Sequence, residues 1–237
     1  MLSDLEKSLI AAAISSKIDE AAKKKYGTPT QEHQLTSRIA GLLEDLNGLE
    51  VFQNRITVVA QELPDKGAGA LEKPTGADMY ISITDSGFDG FSKGILVQTK
   101  RLKPTLKPVA EGFYYRSMED PRLADQCARM LHITPESYVW VYGEKGVGVV
   151  HARDALDTGE AALEPVSDRS TYDLFRKIVE CEEGDPRYGL PHGGDKRAQL
   201  IQMLDTFRRE ARVEIKQGVD IRISPASDRR VGRKRRA

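Results

Sequence analysis
The chain has 237 residues, 39% of them hydrophobic and 30% charged, with Lys+Arg 36 balanced by Asp+Glu 36. That is enough for one core, or a core with an appendage, beneath a highly charged surface. No apolar run approaches the roughly 20 residues of a membrane span, and the acid-bearing N-terminus is unlike a signal peptide, so a cytoplasmic protein without membrane contact is expected.

Cys127 and Cys181 fall in no metal or redox spacing and read as two reduced thiols. The charge balance hides an asymmetry. Arg229, Arg230, Arg233, Lys234, Arg235 and Arg236 against Asp228 give about +5 in the tail and leave about −5 in the body. Such a tail reads either as a polyphosphate contact or as a solvated end.

In chain order, the first helix is expected from about Asp4 to Lys25, with Leu5, Leu9, Ile10, Ile14 and Ile18 at helical spacing. Gly27 and Pro29 end it. A second helix is expected from about Thr30 to Leu46, with Leu35, Ile39, Leu42, Leu43 and Leu46 on its apolar stripe. Glu32 lies about 40° from the centre of that stripe and Glu44 about 160° away, so Glu32 faces the body from the first turn. Glu32 reads either as a site carboxylate or as an acid favoured by the helix dipole.

A strand is expected from Val51 to Leu63, rich in β-branched residues. A loop containing Pro64, Gly67 and Gly69 leads through Glu72 to Gly76-Ala77-Asp78 and the next strand. Glu72 reads as a second acidic ligand or as a solvated loop residue. Met79, Ile81 and Ile83 share one face of that strand, and Asp78, Tyr80 and Ser82 the other. After a turn from Asp85 to Lys93, the strand Gly94–Arg101 places Ile95 and Val97 on one face and Leu96, Gln98 and Lys100 on the opposite one. A hairpin therefore gathers Asp78, Gln98 and Lys100 on one side of one sheet.

Lys103 and Lys107 follow closely, and Tyr114, Tyr115 and Arg116 add groups that can stack or clamp, or simply pack. Pro121 opens a helix to about His132, with Leu123, Cys127, Met130 and Leu131 inward and Gln126 upon it. Tyr138–Gly143 and Gly146–His151 read as a hairpin. Gly143, Gly146 and Gly148 are no phosphate loop, because a strand follows where a helix should open. His151 reads as structural, and His33, His132 and His192 form no ligand spacing. Beyond lie a short helix from Ala152 to Leu156, a loop from Thr158 to Ser167, and a helix from Ser170 to Glu182. A loop from Gly184 to Gly194 follows. A long helix from Asp195 to Arg212 then carries Leu200, Ile201, Leu204 and Phe207 on its apolar face. An edge strand from Val219 to Ile223 is expected last.

A carboxylate, an amide oxygen and an ammonium on one sheet face suit phosphodiester hydrolysis. A hard divalent cation takes oxygen ligands and neutralises phosphate charge, and a cationic side chain assists the attacking water. The set Glu32 within Glu32-His33-Gln34-Leu35-Thr36, Asp78 within Gly76-Ala77-Asp78, and Gln98-Thr99-Lys100 resembles the PD-(D/E)xK nuclease superfamily in its Gln-x-Lys variant. It is closest in pattern to restriction-endonuclease-like prokaryotic proteins. The resemblance covers about residues 28 to 152. Gln replaces the commoner acid at Gln98, so Glu32, alone or with Glu72, has to supply the missing charge.

The resemblance implies an α/β fold: a restriction-endonuclease-like mixed sheet flanked by helices on both faces, with C-terminal helices added. Along the chain, a core with N-terminal helices is expected over residues 1–152, a helical extension over 153–225 packed upon it, and a basic tail over 226–237. The resemblance implies Mg²⁺- or Mn²⁺-dependent cleavage of DNA, in a role such as defence against foreign DNA. The metal ligands would be Asp78, Gln98, the Thr99 carbonyl and Glu32, with Lys100 beside the water. Arg101, Lys103, Lys107, Arg116, Arg233, Lys234 and Arg235 would be nucleic-acid contacts. A homodimer, an activating ligand or an activating partner protein is compatible with it. A catalytically silent binding module of the same fold and a metal-dependent ribonuclease remain alternative readings.

Overall fold
The computed structural model describes residues 2–26, 32–46, 49–51, 54–65, 70–87, 90–101, 122–157 and 169–216. Its centre is a six-stranded sheet in the order β1-β2-β3-β4-β5-β6: β1 Leu49–Val51, β2 Asn54–Glu62, β3 Met79–Asp85, β4 Ser92–Arg101, β5 Ser137–Gly143 and β6 Gly146–His151. Every neighbouring pair is antiparallel except β4 and β5, which run parallel. Parallel neighbours need a crossover, and α4 (Leu123–Ile133) lies within this one. The sheet is therefore mixed and the class is α/β.

The β-branched and apolar runs form strands because both faces of the sheet are covered. On one face Met79, Ile81, Ile83, Ile95, Val97, Trp140 and Val149 pack beneath α1 (Asp4–Tyr26), α2 (Glu32–Glu44) and α6 (Thr171–Val179). On the other, Tyr80, Leu96, Val139 and Val141 pack beneath α4, α5 (Ala152–Asp157) and α7 (Lys196–Lys216). Trp140 meets Phe175 of α6 edge-on at 6.2 Å. Phe207 of α7 does the same with Tyr80 at 5.3 Å. Each such buried ring contributes a few kcal/mol, on the order of 2–3.

Several sequence expectations are corrected in detail. The strand expected over 51–63 is two strands, with Leu49 registered against Ile56. Leu5 and Leu9 are 59% and 44% exposed, and the buried face of α1 is instead Ile10, Ala11, Ile14, Ile18, Ala21 and Ala22. Small alanines let α1 lie close to α6, so the packing face turns away from the bulkier leucines. Ile201 is 52% exposed, and Phe207 and Ala211 bury the α7 face with Leu200, Met203 and Leu204 packed beside them. On α4, Ile133 is buried where Leu131 is only partly so. Pro121, the loop from 158, and the segment of Val219 to Ile223 with the basic tail lie outside the described residues. No helix among the described residues is long and apolar enough to cross a membrane.

Candidate active site
The site forms where β3 begins and β4 ends. α3 (Glu72–Thr75) is a single turn, closed by Gly76 in the left-handed region at φ 75. The amide of Gly76 donates to the Glu72 carbonyl at 2.6 Å, and the Thr75 hydroxyl donates to the Leu71 carbonyl at 2.6 Å while accepting from Ala77 N at 3.2 Å. This knot fixes how the chain enters β3. Asp78 is the last residue before that strand. Its backbone is held on both sides, N–H to the Val97 carbonyl at 2.9 Å and carbonyl from Leu63 N at 2.7 Å.

The Asp78 carboxylate is bound almost entirely through one oxygen. Oδ2 accepts from Gln98 Nε2 at 2.7 Å, from Thr99 N at 2.8 Å, and from the Thr99 hydroxyl. No described residue donates to Oδ1. Gln98 is 1% exposed, and its Oε1 has no hydrogen-bond partner among the described residues. An orphaned buried acceptor costs about 1–3 kcal/mol unless something positive meets it. Gln98 Nε2 also donates to the Thr99 carbonyl at 3.2 Å, so that carbonyl, expected as a ligand, already has a donor.

Lys100 lies two residues along the same face and is 8% exposed. Its ammonium donates to Gln126 Oε1 of α4 at 3.1 Å. Burial lifts the Asp78 carboxyl above the usual aspartate range, against the Thr99 hydrogen bonds, the nearby Lys100 charge and the Gln98 amide. Glu72 belongs to the same electrostatic unit. Burial first, then the charges of Asp78 and Asp65, raise it to about 7, against Lys100 and Arg122. A half-buried acid raised this far is held mainly by desolvation, with neighbouring carboxylates adding to it.

Asp78 and Gln98 are thus brought together, with Lys100 two residues along, as the alternation of the two strands requires; Thr99 points to the opposite face and reaches Asp78 through its amide and hydroxyl. Glu72 is corrected from loop to a one-turn helix beside the site. Gln126, noted in the sequence on the helix after Pro121, is brought against Lys100 by the crossover. Glu32 opens α2, but its side chain lies outside the described residues, as does that of Arg101; Lys103, Lys107, Arg116, Arg233, Lys234 and Arg235 lie outside them altogether.

Cys127 is on the buried side of α4, and burial pushes its thiol up to about 12. His151 stacks edge-on against Tyr138 at 5.3 Å and accepts from Arg153 N at 3.1 Å. Among the described residues no group of three His, Cys, Asp or Glu is arranged as a metal cage. The oxygens gathered here are of another kind, the Asp78 carboxylate and the Gln98 amide oxygen, with Glu72 linked to Asp78 through its charge. Hard cations accept such mixed oxygen sets and keep waters besides, so these residues fit a divalent ion. No family model, no curated protein and no solved structure matches the chain.

Proposed function
We propose that the chain is a metal-dependent nuclease of the PD-(D/E)xK type, acting on phosphodiester bonds in DNA. The observation that carries this reading is the junction of Asp78 and Gln98 at 2.7 Å, with a buried amide oxygen left without a donor and an ammonium two positions along the same face.

Asp78 and Gln98 would hold a Mg²⁺ or Mn²⁺ ion, with Glu72 as the additional carboxylate. Such an ion supplies charge neutralisation at the phosphate and a more acidic water. The chain's own residues do the rest. Thr99 fixes the Asp78 carboxylate through both its amide and its hydroxyl. Gln126 holds the Lys100 ammonium at the mouth of the site, where it stabilises negative charge developing on a phosphate oxygen and keeps the attacking water oriented.

A plasmid-nicking assay with Mg²⁺ and with Mn²⁺ tests this, comparing wild type with Asp78→Ala and Lys100→Ala. Each variant is expected to lose at least roughly 100-fold in rate. Cleavage persisting in both overturns the site. Labelled RNA offered in the same assay separates a ribonuclease, and DNA binding without cleavage by the wild type identifies a silent binding module.

A further inference from the structure
The sheet face turned away from Gln98 and Lys100 carries a feature that its apolar packing does not call for. Three hydroxyls form a line there. The Tyr142 phenol of β5 lies 3.2 Å from Thr36 Oγ1 of α2, and Thr36 Oγ1 lies 2.9 Å from Thr99 Oγ1 of β4. All three residues are buried, at 1%, 1% and 0% exposure, in the layer of Ile39, Val97 and Trp140. Valine and phenylalanine have similar shapes, and replacing paired buried polar groups with apolar ones of the same shape costs little stability. Packing alone does not call for hydroxyls here, and Thr36 and Tyr142 each make a further interaction besides these two.

Their direction gives one. A hydroxyl has a single hydrogen. That of Thr99 goes to Asp78 Oδ2, so Thr99 must accept from Thr36. The hydrogen of Thr36 is then committed, so Thr36 accepts from Tyr142. The line is polarised one way, through the sheet, and it ends on the site carboxylate.

We infer that Thr36 and Tyr142 are positioning residues for Asp78: by fixing the Thr99 hydroxyl as a donor to Oδ2, they leave Oδ1 as the oxygen presented to a bound cation. Neither residue touches the ion or the substrate. The inference rests on the reading of Asp78 as a metal ligand in a hydrolase, and the test keeps the two apart.

Thr36→Val and Tyr142→Phe remove the hydroxyls, and Thr36→Ser restores one. The first readout needs no metal. The Thr99 amide donates to the Asp78 side chain rather than to a neighbouring strand, so its hydrogen exchange reports where that carboxylate sits. In EDTA, exchange of this one amide, followed by NMR, is expected to quicken roughly fivefold in Thr36→Val and Tyr142→Phe and to return to the wild-type rate in Thr36→Ser. The second readout is the Mn²⁺ concentration giving half-maximal plasmid cleavage. It is expected to rise by about tenfold in the first two variants and not in the third, with the rate at saturating Mn²⁺ changed less.

Unchanged Thr99 exchange in folded Thr36→Val or Tyr142→Phe overturns the positioning role. So does an exchange increase that Thr36→Ser fails to reverse, or one spread evenly along β4. Quickened exchange with an unchanged Mn²⁺ requirement also overturns it, because the carboxylate would then move without consequence for the ion. A wild type that cleaves no nucleic acid removes the hydrolase reading instead, and direct Mn²⁺ titration of the same variants then decides the positioning role.

Discussion
Gly76 and Gln126 meet backbone to backbone: a Cβ added at Gly76 would stand 2.2 Å from the Gln126 carbonyl oxygen. The contact presses α4 against the entry to β3, and it brings the Gln126 side chain within reach of Lys100. Two demands fall on one residue, because Gly76 also has φ 75. Gly76→Ala is expected to cost roughly 2–5 kcal/mol, from left-handed strain and from the clash together. Gly143 is the control. Its Cβ would meet nothing nearer than 3.7 Å, so Gly143→Ala should cost under about 1 kcal/mol. Urea unfolding of the two variants checks this, and equal losses would show that α4 is not held through Gly76.

Under the nuclease reading, Gln126 is expected to act on chemistry more than on stability. Its Oε1 accepts from the Lys100 ammonium at 3.1 Å. Lys100 is held by further interactions as well, so losing this one leaves the ammonium nearby but less well aimed. Gln126→Leu keeps volume and removes the acceptor. The cleavage rate is expected to fall by roughly tenfold, with DNA affinity unchanged and a melting temperature within a few degrees of wild type. A rate equal to wild type would remove Gln126 from the site.

The strand period made most of the site readable in the sequence. Alternation alone put Asp78 with Tyr80 and Ser82, and Gln98 with Leu96 and Lys100, and the register Met79 to Val97 then sets Asp78 against Gln98. The hairpin of Tyr138 to His151 was readable for the same reason. What could not be read depends on which elements meet. A four-residue helix such as α3 has no period to detect, so Glu72 looked like loop. Thr36 stood only as the last residue of the Glu32–Thr36 segment, with no role of its own, and Tyr142 as one more aromatic in a strand. Only the packing of α2 over β4 and β5 joins them to Thr99. On α1 the stripe was misread because apolar residues lie on more than one side. Alanines 11, 21 and 22, weak in hydrophobicity, mark the buried side better than Leu5 and Leu9.

Asp19 couples α1 to the sheet, and its charge should be visible in stability against pH. Its Oδ1 accepts from Val147 N at 3.0 Å and from the Thr171 hydroxyl at 3.4 Å. Burial lifts its carboxyl above the ordinary value of 3.8, against these bonds and the charge of Lys23. A raised carboxyl contributes its stability fully below the unfolded value and loses it as pH rises through the folded one. Asp19→Asn keeps an acceptor and never ionises. Relative to wild type, Asp19→Asn is therefore expected to gain stability between about pH 4 and pH 7, by less than about 1 kcal/mol because the site is only partly buried. Urea midpoints at the two pH values measure it, and a parallel course for both proteins would show that Asp19 is ionised without cost.

Asp173 should show the opposite sign. It closes a capping box at the start of α6: the Ser170 hydroxyl accepts from Asp173 N at 3.2 Å, and Asp173 Oδ2 accepts from Ser170 N at 2.9 Å and from the Ser170 hydroxyl at 2.6 Å. The Ser170 side chain, then its backbone N–H, hold the Asp173 carboxyl below the usual range. A lowered carboxyl contributes stability above the unfolded value, and that contribution is lost as pH falls through the folded one. Ser170→Ala removes the larger of the two donors and one cap bond, at a cost of about 1 kcal/mol near neutral pH. α6 brings Leu174, Phe175, Ile178 and Val179 onto the sheet, so the loss should be felt by the whole fold rather than by a frayed end. Between pH 5 and pH 3, on the order of the carboxylate range, wild type should lose more stability than Ser170→Ala, and the two curves should converge. Curves that stay parallel into acid would mean that the box is worth the same whether or not Asp173 carries its charge.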